Sequence, residues 1–145
     1  MFSMSTASPS ARTARFAATY RQVGVQTNVS GANAHQLVGL LFEGCMDALA
    51  QASSAIQSGC TEAKCRAIGR ALGIVNEGLK AGLNLQAGGP LAADLDSLYA
   101  YICVRLSQAN LRNDEAALAE CRRLLKPLQE AWAAIGQKPE ALRVN

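Results

Sequence analysis

The amino-acid sequence predicts an all-α fold, an antiparallel up-down four-helix bundle. Half of the 145 residues are apolar but only 5% are aromatic, a composition that suits packed helices better than a sheet. Apolar residues recur at helical spacing in four segments of similar length joined by short links, which is the pattern of such a bundle. The chain length corresponds to one domain with a hydrophobic core.

Residues 1–32 are predicted to form a flexible arm that precedes the bundle at 33–136. The first 30 residues carry three arginines and no acid, which accounts for the net charge of +3. A Ser-, Ala- and Arg-rich segment is also typical of a mitochondrial transit peptide, and that alternative stays open at this point. As an arm, the segment would dock through Phe16, Tyr20 and Val23. Residues 137–145 form a tail that could hold one short helix.

The first helix is predicted at about 34–57, with Asn33 as its N-cap and Gln36 completing a capping box. Its apolar arc spans roughly 200°, about twice the usual core-facing stripe. The arc consists of two adjacent stripes: Leu37, Leu41, Ala48, Ala52 and Ala55 form one, and Val38, Phe42, Cys45 and Leu49 form the other. An arc of this width indicates a helix that is central in the bundle or open to a partner.

The second helix is predicted at about 62–85, capped by Thr61. Its core stripe contains Cys65, Ile68, Leu72, Val75, Leu79 and Leu83. Four interior glycines (69, 73, 78 and 82) flank this stripe, and each costs about 1 kcal/mol of helix stability relative to Ala. Close approach of neighbouring helices explains them better than a partner groove.

The third helix is predicted at about 90–111, with Pro90 in its first turn. It is apolar on two sides: Leu98, Ile102, Leu106 and Ala109 lie on one, and Tyr101, Val104 and Leu111 lie on the other. A helix that faces a single core normally carries charge on that second side. The second side must therefore be covered by the fold or by a partner.

The fourth helix is predicted at about 114–135, capped by Asn113 or Asp114. It has a single core stripe, made of Leu118, Cys121, Leu125, Leu128, Trp132 and Ile135.

The sequence offers little for catalysis or for a cofactor. The one histidine, His35, is expected on the surface of the first helical turn, and no Glu-x-x-His pair or Cys-x-x-Cys-His haem signature accompanies it. Five cysteines, without CxxC spacing, are best explained as free thiols in a reducing compartment. We expect no enzyme activity, cofactor or metal, no nucleic-acid binding and no membrane insertion.

Several short motifs, in order, resemble the family of the flagellar secretion chaperone FliS over about residues 19–135. They are Tyr20-Arg21-Gln22-Val23, His35-Gln36-Leu37-Val38, Leu41-Phe42-Glu43-Gly44, Gly78-Leu79-Lys80-Ala81-Gly82-Leu83, Leu98-Tyr99-Ala100-Tyr101, Arg105-Leu106 and Ala109-Asn110-Leu111-Arg112-Asn113-Asp114, followed by Leu124-Leu125 and Ala131-Trp132. The run from Leu98 to Asp114 is the most specific of these.

The resemblance implies a cytoplasmic export chaperone that binds the disordered C-terminal segment of flagellin. Binding would prevent premature polymerisation, and the complex would be delivered to the flagellar type III export gate. The resemblance also implies that the arm around Tyr20 covers part of the groove, with Tyr20 and Val23 as gating residues, and it makes a transit peptide a remote alternative.

The partner-binding residues that we expect on the body are Leu37, Leu41, Phe42 and Cys45 on the first helix, with Tyr99, Tyr101, Val104, Asn110 and Leu111 on the third. Core packing is the competing interpretation for each of them, and it is stronger for Leu37 and Leu41 than for Tyr101 and Val104. The alternative function is a self-associating structural bundle without a client, which would form a homodimer through the same face.

Overall fold

The computed structural model describes residues 31–136, with side chains from Ala34 to Ile135, and within that range it contains helices and no strand. The four α-helices are α1 (Gly31–Gln57), α2 (Thr61–Gly73), α3 (Gly89–Arg112) and α4 (Glu115–Gly136), and a π-helical segment, Ile74–Lys80, continues α2. The predicted all-α class is confirmed. The arm through residue 30 and the tail at 137–145 lie outside the described residues, whereas Gly31 and Ala32, which we assigned to the arm, belong to α1.

Contacts between helix ends establish the antiparallel order. Ser53, near the end of α1, donates a hydrogen bond to Glu115 at the start of α4, with Oγ and Oε1 2.8 Å apart. Lys80, at the end of the π segment, forms an ion pair with Asp96 near the start of α3 at 3.2 Å. α1 packs against α2 and α4, and α3 packs against α2, the π segment and α4. α1 and α3 therefore lie diagonally across the bundle.

The core is formed by one face of each helix. Its largest fully buried side chains are Trp132, Tyr99, Phe42, Leu49, Ile68, Leu79, Ile102, Leu106, Leu118, Leu125 and Val38. The predicted core faces of α3 and α4 are confirmed at most positions, with Leu98, Leu128 and Ile135 half-buried at the edges of the core.

The second helix departs from its prediction. Its α-helical part ends at Gly73, and the π segment follows, as the bond from the Ala81 N–H to the Asn76 carbonyl shows at 3.1 Å. The continuous α-helix that we predicted to residue 85 is therefore wrong. Because the glycines in and around this segment favour an α-helix only weakly, little stability is lost when a wider π-helical turn replaces the α-helical one.

Three further positions differ from the sequence predictions. Cys60, rather than Thr61, occupies the N-cap of α2, since its carbonyl accepts the N–H of Lys64 at 3.0 Å. Asn33 lies inside α1, because the helix already begins at Gly31. Cys65 is exposed rather than buried, because the side of α2 that faces the core is the side that carries Lys64 and Ile68.

The glycines of the second helix have different surroundings. A Cβ atom at Gly78 would lie 3.2 Å from Cδ1 of Leu41 on α1, tighter than ordinary van der Waals contact, so close approach is confirmed there. A Cβ atom at Gly69 or Gly73 would meet nothing within 4 Å outside its own helix. Close approach is therefore the wrong explanation for those two.

Lys64 joins α2 to the end of α3. Its ammonium group is buried and donates to the Asn110 carbonyl at 2.8 Å and to Oδ1 of Asn113 at 2.6 Å. Asn113 adopts a left-handed conformation (φ 54°) that ends α3, and Asp114 caps α4 by accepting the Ala117 N–H at 3.2 Å. The cation thus satisfies an orphan carbonyl at the negative end of the helix dipole.

We expect Gly69→Ala to stabilise the protein by about 0.5–1 kcal/mol, because the added methyl group meets open space and alanine favours the helix. Gly78→Ala should give no gain or a loss, since its methyl group presses against Leu41. Urea unfolding measures both variants, and equal stabilisation by the two would contradict the close contact at Gly78.

We expect Lys64→Met to destabilise the protein by about 1.5–3 kcal/mol, because it removes the charged donor from the Asn110 carbonyl and from Oδ1 of Asn113. The matched control is Lys80→Met, which breaks a partly exposed ion pair and should cost less than about 1 kcal/mol. Similar losses in the two unfolding curves would rule out a special role for the buried ammonium.

Candidate interaction surfaces

The outward side of α3 carries a stripe of large apolar side chains. Tyr101, Val104 and Leu111 are 44%, 54% and 82% exposed, while Ile102 and Leu106 on the inward side are fully buried. We call these three exposed residues the α3 stripe. The burial pattern confirms the prediction that this helix is apolar on two sides, and no other helix within residues 31–136 covers the second side.

A polar network fixes one edge of the α3 stripe. The Tyr101 hydroxyl donates to Oε2 of Glu120 on α4 at 2.5 Å, and Arg105 Nε donates to Oε1 of the same carboxylate at 2.6 Å. These two hydrogen bonds are the main reason that the pKa of Glu120 is lowered, and the bond to Glu120 raises the pKa of Tyr101. The network holds the tyrosine ring on the α3–α4 side of the stripe.

α1 presents a different face from the one that the helical wheel suggested. Phe42 and Cys45 are buried in the core, whereas Leu37 and Leu41 are half-buried, and Leu41 lies against Gly78 of the π segment. Core packing therefore describes Phe42 and Cys45 better than Leu37 and Leu41. Leu37 and Leu41 are in turn less exposed than Tyr101 and Val104, in the order that we expected. Burial raises the pKa of the Cys45 thiol to about 12, so the group stays neutral.

Two predicted partner-binding residues of α3 have structural roles. Tyr99 is fully buried, so a partner on this surface would not reach its ring. Asn110 is half-buried, its carbonyl accepts from Lys64, and its Oδ1 lies 3.5 Å from the Cys65 sulfur. The carbonyl bond ties Asn110 to α2 and sets it apart from the α3 stripe.

The predicted site residues do not form one continuous groove. Leu37 and Leu41 belong to α1, which lies diagonally across the bundle from the α3 stripe. A partner that contacts both must pass around an intervening helix. Tyr20 and Val23 lie outside the described residues.

His35 forms a two-way link that sequence reasoning missed. Its Nε2 lies 2.7 Å from the Trp132 carbonyl, the indole N–H of Trp132 donates to the His35 carbonyl at 2.9 Å, and the two rings stack with centroids 4.7 Å apart. The expected surface role of His35 is therefore wrong, because its ring packs on Trp132 and so joins the start of α1 to the end of α4. Sequence spacing gives no sign of a contact between residues 97 positions apart.

All five cysteines fall within the described part of the chain, and all are free thiols. No group of three or more His, Cys, Asp or Glu side chains between Ala34 and Ile135 could hold a metal ion. None of the helices within 31–136 is long and apolar enough to cross a membrane.

Comparison with known proteins identifies relatives along most of the chain. The sequence profile of the family described as "Flagellar protein FliS" matches residues 16–139. The chain is 44% identical over 119 residues to the "Flagellar secretion chaperone FliS" of Salmonella typhimurium, covering 82% of this chain and 88% of that protein. It is 40% identical over 116 residues to the "Flagellar secretion chaperone FliSB" of Pseudomonas aeruginosa, covering 80% and 91%. The Bacillus subtilis protein named FliS is 30% identical over 107 residues, covering 74% and 78%.

The network around Glu120 makes a prediction for the pH dependence of stability. Because the pKa of Glu120 is lowered by folding, its contribution is present above the unfolded value of about 4.3 and is lost as the pH falls through the folded value. Glu120→Gln should therefore be less stable than the wild type at pH 7, and the difference should shrink as the pH is lowered below about 4. Urea unfolding over a series of pH values measures it, with Glu130→Gln, on an exposed part of α4, as the control. A constant difference across this range would contradict the ionised network.

Proposed function

The chain belongs to the FliS family of flagellar secretion chaperones, and we propose that it is a cytoplasmic export chaperone whose client is the C-terminal segment of flagellin. In this proposal the bound client segment cannot polymerise prematurely, and the complex is delivered to the flagellar type III export gate. The observation that carries the proposal is the α3 stripe, an apolar surface that the bundle leaves uncovered within residues 31–136.

The energetics of the α3 stripe suit a peptide client. Burying one side chain of this size contributes roughly 1.5–3 kcal/mol, and Leu111 and Val104 are both more than half exposed. Two or three such contacts are enough to offset part of the ordering cost of a disordered segment. An apolar row on one helix also matches the spacing of an amphipathic partner helix.

The diagonal arrangement of α1 and α3 supports a client that wraps around the bundle. A single short helix cannot reach both the α3 stripe and the half-buried Leu37 and Leu41, whereas an extended segment can. Phe42, Cys45 and Tyr99 would then support the surface from the core, and Asn110 would hold the end of α3 in place. Gating by Tyr20 and Val23 rests on the family resemblance alone.

We expect Val104→Asp and Leu111→Asp each to weaken binding of a flagellin C-terminal peptide by at least about tenfold, since a tenfold change corresponds to about 1.4 kcal/mol. Isothermal titration calorimetry with the full chain measures this. The matched control is Leu40→Asp, because Leu40 is 59% exposed on the diagonal helix α1. If Leu40→Asp weakened peptide binding as much as the two α3 variants do, the main contact would not lie on α3. If the folded wild type showed no saturable binding, the proposed function itself would be refuted. The self-associating alternative requires a dimer in sedimentation that the peptide does not dissociate.

A further inference from the structure

A groove runs along the contact between α1 and α4, and no residue of the α3 stripe lines it. Three hollows lie along it in succession, with volumes of about 310, 500 and 550 Å³. The first lies beside Ser53 and the last beside His35, and Arg122 lines both the first and the middle hollow. The groove therefore runs for about 27 Å along α1, from His35 to Ser53 at 1.5 Å per residue.

The middle hollow is basic with an apolar floor. Arg122, Arg123 and Lys126 line it together with Met46 and Pro127, and no carboxylate is among these lining residues. None of the three cations lies within 4.0 Å of a carboxylate in the part of the chain that the structure describes. The positive charge of Arg123 helps to lower the pKa of Glu120, but it is the smallest of the causes.

Acidic residues line the two end hollows of the groove and not the middle one. Glu43 lines the hollow beside His35, and Glu115 lines the hollow beside Ser53. Oε1 of Glu115 already accepts hydrogen bonds from Ser53 at 2.8 Å and from Gln57 at 2.9 Å. Among the residues that line the middle hollow, only cations carry a formal charge.

Pro127, which lines the same hollow, removes one hydrogen bond from the backbone of α4. A proline inside α4 has no N–H, so it cannot donate to the carbonyl of Arg123, the residue four positions earlier. Arg123 itself lines the hollow.

We propose that the α1–α4 groove binds an acidic, amphipathic segment of a partner protein, with carboxylates on Arg122, Arg123 and Lys126 and apolar side chains over Met46. Charge complementarity selects this occupant. The chain's own first 30 residues have the wrong charge, because they contain three arginines and no acid. Nucleic acid fits less well, because Trp132, the aromatic residue beside the groove, is buried and stacked on His35 rather than exposed to a base. This inference goes beyond the proposed function, since it concerns another surface and needs no flagellin.

The test uses the full-length protein labelled with ¹⁵N and a synthetic peptide of about 18 residues, the length that spans the groove as a helix. The peptide carries Leu and Ala on one helical face and Glu on the other. We expect amide shift changes at Gly39, Met46, Ala119 and Arg122, with little change along the α3 stripe. The Arg122→Glu/Lys126→Glu double variant should bind at least about tenfold more weakly. The matched control, Arg66→Glu/Arg112→Glu, reverses two exposed arginines elsewhere on the bundle and should change the affinity less than about twofold.

Each alternative outcome would overturn the proposal. Equal weakening by the two double variants would indicate attraction to net charge without a site. Shift changes confined to the α3 stripe, or no binding by the folded wild type, would place the acidic segment elsewhere or nowhere. Tighter binding of oligothymidylate than of the peptide, with shifts along the groove, would identify a nucleic-acid surface instead. A folded spectrum of each variant is required, which is expected because all four substituted residues are exposed.

Discussion

The ring arrangement of the four helices constrains every other feature of this protein. Each helix contacts the helices beside it, and it buries one side against a shared core. α3 has apolar residues on both its inward and its outward side, but in a ring of four helices only the inward side is buried in the core. Tyr101, Val104 and Leu111 therefore remain exposed among the described residues. An apolar row of this kind on a small bundle indicates an interaction surface, which agrees with membership of a family of secretion chaperones.

Polar contacts fix the ends of the helices, where hydrophobic packing is weakest. The Lys64 ammonium closes the end of α3, and His35 and Trp132 exchange contacts between the start of α1 and the end of α4. Each contact gives a buried or half-buried polar group its partner, as the groups left unpaired at helix termini require. These contacts hold the ring of helices together at its ends.

α4 separates two surfaces of different character. On one side of it lies the α3 stripe, which is apolar and bordered by the Glu120 network. On the other side lies the α1–α4 groove, where three cations surround an apolar floor. An apolar surface can bind partner segments of many different sequences, whereas an arrangement of charges makes binding more selective and speeds association. The two surfaces could thus recognise different segments without competing for the same side chains.

The sequence by itself determined the number of helices, their approximate limits, most of the core and the two-sided character of α3, because apolar periodicity records which faces leave water. Tertiary structure alone decided how α1 is rotated within its wide apolar arc, and so why Phe42 and Cys45 are fully buried while Leu37 and Leu41 are half-buried. It also decided the π segment, the partner of Lys64, the pairing of His35 with Trp132 and the diagonal separation of α1 from α3. These features depend on contacts between residues far apart in the chain, and local spacing carries no information about which helices become neighbours.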